Sequence, residues 1–262
     1  MDAAFITFEG IDGSGKSTQL RMLASELRLR GREVVATREP GGTPLGTRLR
    51  EAVLDAQEHV DPLAELLLFA ADRAQHVRTL VRPALDTGHI VLSDRYADST
   101  VAFQGAGREF PPEVIRQVVA LATEGLQPHL TLVFDISVAE SAERSKRRAR
   151  HGESLDRIDA EEAAFHARVR EEYLRIAAAE PRRVRVIDAS GSVAETHQRV
   201  MEIIMPFLEA GDGDKRGDAA GTNVASSSES AGASADENQP ATPSSADKTD
   251  STSDSQTRPP SF

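Results

Sequence analysis

Short apolar, β-branched runs alternate along the chain with stretches whose apolar positions recur every three or four residues. Phe5 to Glu9 (FITFE), Glu33 to Thr37 (EVVAT), His89 to Arg95 (HIVLSDR), Leu130 to Ile136 (LTLVFDI) and Arg183 to Ser190 (RVRVIDAS) each predict a strand. After the first strand, Leu20, Leu23 and Leu27 share a helical spacing that stops at Gly31, a residue suited to the left-handed turn closing a helix. Asp61-Pro62 predicts a helix start, with Asp as N-cap and Pro in the first turn, and that helix runs towards Pro83. Further helices are predicted from about Val138 into a basic stretch, from Ala160 to Ala179, and from Val193 to Leu208. Strands separated by helices pair in parallel through right-handed crossovers. The expectation is a three-layer α/β domain around a five-stranded parallel sheet, with ligands gathered at the carboxyl ends of the strands.

Composition alters this picture at one end. Hydrophobic residues make up 39% of the 262 residues, and few of them fall after Gly211. That segment has no aromatic residue before Phe262 and is dominated by Ser, Ala, Asp, Gly, Thr and Pro. It lacks the apolar surface to offset the entropy of ordering, which predicts a disordered acidic tail over 211–262 and a single domain over 1–210. The tail carries nine acidic and four basic residues, so about −5 of the net charge of −11 resides there. The remainder is only mildly acidic, which argues against a broad nucleic-acid surface. With no cysteine, disulfides and thiolate chemistry are excluded. No apolar run is long enough to span a bilayer, and the N-terminus lacks a secretory pattern; both predict a cytoplasmic protein with no membrane partner.

The chemistry begins after the first strand. Gly10-Ile11-Asp12-Gly13-Ser14-Gly15-Lys16-Ser17 matches the phosphate-loop pattern G-x-x-x-x-G-K-[ST], with a strand before it and a helix after it. Glycines let the backbone curl so that N–H groups point at phosphate, and the helix N-terminus adds partial positive charge. Lys16 would reach the outer phosphates of a nucleoside triphosphate, and the Ser17 hydroxyl would ligate Mg²⁺. This motif alone does not name a reaction.

Five segments together do more. They are Phe8 to Thr18, Thr37-Arg38-Glu39-Pro40-Gly41-Gly42-Thr43, Phe69-Ala70-Ala71-Asp72-Arg73, Asp94-Arg95-Tyr96-Ala97-Asp98-Ser99-Thr100, and a basic segment ending Leu155-Asp156-Arg157. In this order they resemble the thymidylate kinase family, of the bacterial kind with a basic lid, over Ala3 to Leu208. The resemblance implies a P-loop nucleoside monophosphate kinase fold, ATP as donor, dTMP as acceptor, dTDP and ADP as products for DNA precursor supply, and a homodimer. It places Gly10 through Thr18 at ATP, with Ser17 and Asp94 near the metal ion and Arg144 against adenine by cation–π stacking.

For the acceptor, the resemblance assigns Phe69 to stacking on the base and Arg73 to its edge. These two are four apart on one helix, so they share a face, and a guanidinium donates to a carbonyl where cytosine would offer an amine. It assigns Arg38 and Arg95 to the acceptor phosphate, Asp12 to the sugar hydroxyl, Ser99, Thr100 and Gln104 to the base and its surroundings, and Phe103 to a wall that crowds a ribose 2′-hydroxyl. The basic group Arg144, Lys146, Arg147, Arg148, Arg150 and Arg157 predicts a lid over about 144–158 that closes on phosphates. Gly13-Ser14 brings no cation to the loop itself, so Arg148 and Arg150 are the candidates, with Lys16 and Arg95, for meeting transition-state charge. A uridylate or guanylate kinase would not be expected to pair Phe69 and Arg73 with Arg38-Glu39-Pro40-Gly41-Gly42. A GTPase switch would need an Asn-Lys-x-Asp base reader, which is not found in position.

Overall fold

The structure is a computed structural model that describes residues 3–54, 59–150 and 156–218, with side chains to 210. Lid residues 151–155 and the expected tail from 219 onwards lie outside the described residues. The chain starts with β1 (Ala4–Glu9), α1 (Lys16–Leu29), β2 (Val34–Arg38), α2 (Pro44–Leu54) and α3 (Pro62–His76). α3 continues through a π-helical stretch, Val77–Val81, into α4 (Arg82–Asp86). Then come β3 (Ile90–Asp94), α5 (Ala97–Thr100), a second π-helical stretch (Val101–Gly107) and α6 (Pro112–Thr123). β4 (Leu130–Asp135), α7 (Val138–Arg150), α8 (Ala163–Ala179), β5 (Val184–Asp188) and α9 (Val193–Asp218) complete it.

All five strands pair in parallel in the order β2-β3-β1-β4-β5. The register sets Phe8 of β1 and Arg38 of β2 on either side of Asp94 of β3, so the chemistry-bearing residues converge at the carboxyl ends of the strands. Side chains alternate between faces along a strand. Phe5 and Val91 accordingly pack with Val77, Val81 and Tyr96, while Ile6, Phe8 and Leu92 join a larger cluster with Leu20, Leu23 and Leu27 of α1.

The predicted strands and helix starts are found within a few residues. Asp61 caps α3 by accepting from the backbone N–H of Leu63 and Ala64, and Gly31 takes the left-handed turn after α1, with φ of 76°. α8 begins at Ala163 rather than Ala160, and the helix backbone of α9 runs past the expected end at Leu208 to Asp218. The segments forming α2, the 97–107 helical turn and α6 were not anticipated as helices.

Candidate active site

The phosphate loop joins β1 to α1 in the middle of the sheet. Gly10 has φ of 133°, and a Cβ there would stand 2.5 Å from the Phe134 carbonyl oxygen of β4. Gly13 has φ of 75°, and its Cβ would meet the Ser141 carbonyl of α7 at 2.9 Å. Only glycine fits both positions. α7 is pinned to this loop: Ser141 Oγ donates to the Asp12 carbonyl at 2.5 Å, and Arg144 donates to Ala189 O at 2.8 Å beyond the end of β5. Arg144 thus stands beside the loop, at the wall of a wide cleft that Gly13, Ser14, Gly15, Lys16, Ser17 and Thr18 also line.

Lys16 is buried and donates to the Ile11 carbonyl at 2.9 Å. Burial and the neighbouring Arg95 lower its pKa to about 8, against the attraction of Asp12 and Asp94. Ser17 Oγ donates to Asp94 Oδ2. A hydroxyl and a carboxylate oxygen side by side at the loop are hard donors that fit Mg²⁺.

A second, inner cavity opens beside this cleft. Phe69, Arg73, Ser99, Thr100, Phe103 and Gln104 all line it. Phe69 is half-buried and presents a face to the cavity rather than vanishing into the core. Arg73 is buried and held at three points: Nε donates to Glu39 Oε2 at 2.8 Å, Nη1 to Thr100 Oγ1 at 2.7 Å, and Nη2 to the Tyr96 carbonyl at 2.8 Å. A guanidinium has five N–H groups, so two remain to face a ligand. Burial raises the Glu39 carboxyl, but Arg73 and His76 outweigh it and hold Glu39 ionised.

Asp12, Arg50 and Arg95 line both the cleft and the cavity, so they mark where the two meet. Arg95 donates to Asp12 at 2.6 Å, and its guanidinium lies 4.6 Å over the Phe103 ring. Burial pushes the Asp12 carboxyl up, yet Arg95 and Lys16 more than offset that and hold it well below the usual range. Arg38, by contrast, ends β2 exposed and lines the cleft but not the cavity. Arg50 of α2 was not among the residues sequence reasoning picked out; only the fold brings it there.

Behind Arg95 lies Glu9, fully buried, which accepts from Ser99 Oγ at 2.6 Å, Tyr173 Oη at 2.8 Å and the Tyr96 N–H at 2.8 Å. Burial, with the nearby Asp98, raises its pKa to about 7. A glutamate in the unfolded chain titrates near 4.5. Between these values the folded protein holds the extra proton, so stability falls as pH rises from about 4.5 through 7. Asp72 and Asp159, raised to about 6, act in the same direction. Glu9→Gln should therefore flatten, without abolishing, the decline in Tm across that window. Parallel Tm profiles for parent and variant would show that Glu9 does not titrate there.

The basic lid candidates separate. Arg144, Arg147 and Arg148 of α7 line the cleft. Arg150 is exposed at the end of α7 and does not line it, so the expected pairing of Arg148 with Arg150 at one site is not seen. Lys146 is exposed beside Glu143. Arg157 turns inward instead, donating to Glu65 at 2.5 Å and to the Val53 carbonyl at 3.2 Å. Glu65 is a buried hub that also accepts from Gln104 at 2.9 Å and Arg108 at 3.0 Å. Gln104 is thus committed on one side to Glu65 while it lines the cavity on the other.

Residues 8–200 match the family model described as Thymidylate kinase. Thymidylate kinase of Nitratidesulfovibrio vulgaris is 50% identical over 210 residues, covering 79% of this chain and 98% of the relative. Thymidylate kinase of Clavibacter michiganensis subsp. michiganensis is 51% identical over 212 residues, covering 80% and 99%. The crystal structure of thymidylate kinase from Ehrlichia chaffeensis superposes with a TM-score of 0.63 at 34% identity, over 78% of this chain and 99% of that one. A match that starts in the strand before the phosphate loop, ends in the last helix and spans nearly the whole of these relatives shows that the chain belongs to the thymidylate kinase family.

Proposed function

We propose that the protein transfers the γ-phosphoryl group of ATP to the phosphate of dTMP, giving dTDP and ADP. The observation that carries this reading is the meeting of two spaces at Asp12 and Arg95: a phosphate-loop cleft, and a neighbouring cavity walled by Phe69 and Arg73. A nucleoside monophosphate with its base between these two side chains would direct its phosphate towards Arg95 and Arg50, at the mouth of the cleft. Its attacking oxygen is already largely ionised near neutrality, because the second phosphate pKa is about 6. No strong general base is then required, and positioning and charge neutralisation suffice. Lys16, Arg95 and the cleft-lining lid arginines supply the positive charge. Ser17 and Asp94 would hold Mg²⁺, which offsets negative charge on the donor phosphates. Asp12 would orient the sugar, and Phe103 would disfavour a 2′-hydroxyl.

The catalytic unit occupies about 1–210, acts in the cytoplasm and assembles as a homodimer. No helix among the described residues is long and apolar enough to cross a membrane. ADP release measured across the common monophosphates tests the reading. dTMP should give the highest kcat/KM, dUMP less, ribonucleotides far less, and dCMP at least about tenfold less because a donor at Arg73 faces an amine there. A guanylate or cytidylate as best substrate would overturn the assignment.

A further inference from the structure

Arg73 would report on a base edge only if its guanidinium were held in one orientation before the base arrives. Its Nε is fixed by Glu39 Oε2 at 2.8 Å. The other carboxylate oxygen of Glu39 lies 2.7 Å from His76 Nδ1. His76 Nε2 in turn lies 2.8 Å from Thr37 Oγ1. Three of the four side chains belong to two elements, Thr37 near the end of β2 and Arg73 and His76 about one turn apart on α3, and Glu39 lies just beyond β2. Arg73, Glu39 and His76 are each no more than 4% exposed, so water does not compete for the bonds of Glu39 with Arg73 and His76, while the bond to Thr37 is part-buried.

We propose that His76 is a positioning residue for acceptor-base choice, joining Thr37 and Glu39 in a buried hydrogen-bonded relay that fixes the guanidinium of Arg73. The proposal rests on the reading that Arg73 faces the base edge. His76 Nδ1–H donates to Glu39, which also accepts from Arg73, and Thr37 Oγ1 closes the chain at Nε2. This gives each of the two carboxylate oxygens its own donor, so Glu39 cannot rotate without breaking one of the two bonds. The space for the imidazole is reserved by the backbone. A Cβ on Gly42 would stand 2.5 Å from Thr37 Oγ1 and 2.7 Å from His76 Nε2. The glycine after the Glu39-Pro40-Gly41 turn is therefore part of the same device. His76 lines neither space, so it acts on the acceptor only through Glu39 and Arg73, whereas Thr37 also lines the phosphate-loop cleft.

Steady-state kinetics with dTMP and dCMP, alongside Tm, test this on the full chain. His76→Leu should raise KM for dTMP and shrink the preference for dTMP over dCMP by roughly tenfold, the effect of one lost buried hydrogen bond. KM for ATP should hardly move, and kcat should change less than KM for dTMP. His76→Asn, whose amide can still donate to Glu39, should recover most of the loss. Thr37→Val should shift the same two quantities in the same direction by a smaller factor. A folded His76→Leu with unchanged KM and base preference would overturn the relay, as would a loss spread evenly over kcat and both KM values. Should His76→Leu not fold, Thr37→Val decides, and unchanged base preference there overturns it. Arg73→Lys is run in parallel. If it relaxes base choice while the His76 and Thr37 variants do not, the relay alone fails. If it leaves base choice intact, the reading of Arg73 fails and the relay's role falls with it.

Discussion

Replacing Lys16 by methionine should lower kcat by about 10³-fold or more, the scale of losing a charge that contacts the transferring phosphoryl group. The ammonium is buried at the base of the loop, where the Ile11 carbonyl holds it at 2.9 Å. In so dry a position a charge acts with little solvent screening. Asp12 and Asp94 favour the charged form, but burial and Arg95 bring its pKa down to about 8. Above that pH the free enzyme loses the positive charge that donor phosphates require. kcat/KM for ATP should therefore fall as pH rises through about 8. kcat should fall less, because bound phosphates stabilise the ammonium. Methionine keeps most of the side-chain length, so Tm should stay near that of the parent. A Lys16→Met enzyme within tenfold of the parent in kcat would remove Lys16 from the chemistry.

The fold was largely legible because each strand is a compact β-branched run and several helix ends carry strong local signals. Asp61-Pro62 and Gly31 are examples in which one residue's own chemistry fixes the backbone. The segment 97–107 is the opposite case. Ala97-Asp98-Ser99-Thr100 followed by a stretch with two glycines has weak helical propensity. It becomes helical, partly with π-type pairing, because Phe103 packs beside Phe165 and Tyr173. A Cβ on Gly107 would lie 2.6 Å from the Phe165 ring, so the glycine that weakens the helix also permits the packing.

In the site, the motif residues that line the cavity were legible because their segments can be matched one by one. Arg50 and Glu65 carry no such mark. A lone arginine and a lone glutamate beside three leucines look ordinary until the tertiary fold sets Arg50 in the lining of both spaces and Glu65 against Arg157. Arg150 shows the converse: charge density in a run locates a functional surface without saying which members point into it.

Arg144, Arg147 and Arg148 are three and four residues apart, so they share one face of α7, and Arg150 falls outside that arc. Arg148 donates to Ser145 Oγ at 3.0 Å and lies 3.6 Å from Asp159 at the start of the following segment. Burial, with Asp12 and Asp156 nearby, raises the Asp159 pKa to about 6. Asp159 therefore faces this arginine, and incoming phosphates would compete with it for Arg148. Because the phosphate loop carries no cation between Asp12 and Gly15, α7 is the expected source of the positive charge that joins Lys16 and Arg95 at the transferring group. The double substitution of Arg147 and Arg148 by alanine should then lower kcat on the order of 10³-fold, with KM for dTMP within a few-fold of the parent. Each single change should cost less than half of that on a logarithmic scale if the neighbour compensates. The double substitution of Arg148 and Arg150 should match Arg148→Ala alone, because Arg150 does not line the cleft. If the Arg147 and Arg148 pair left kcat within a few-fold, α7 would not supply the charge. If adding Arg150→Ala to Arg148→Ala deepened the loss tenfold, the face of α7 that closes on phosphates would be the other one.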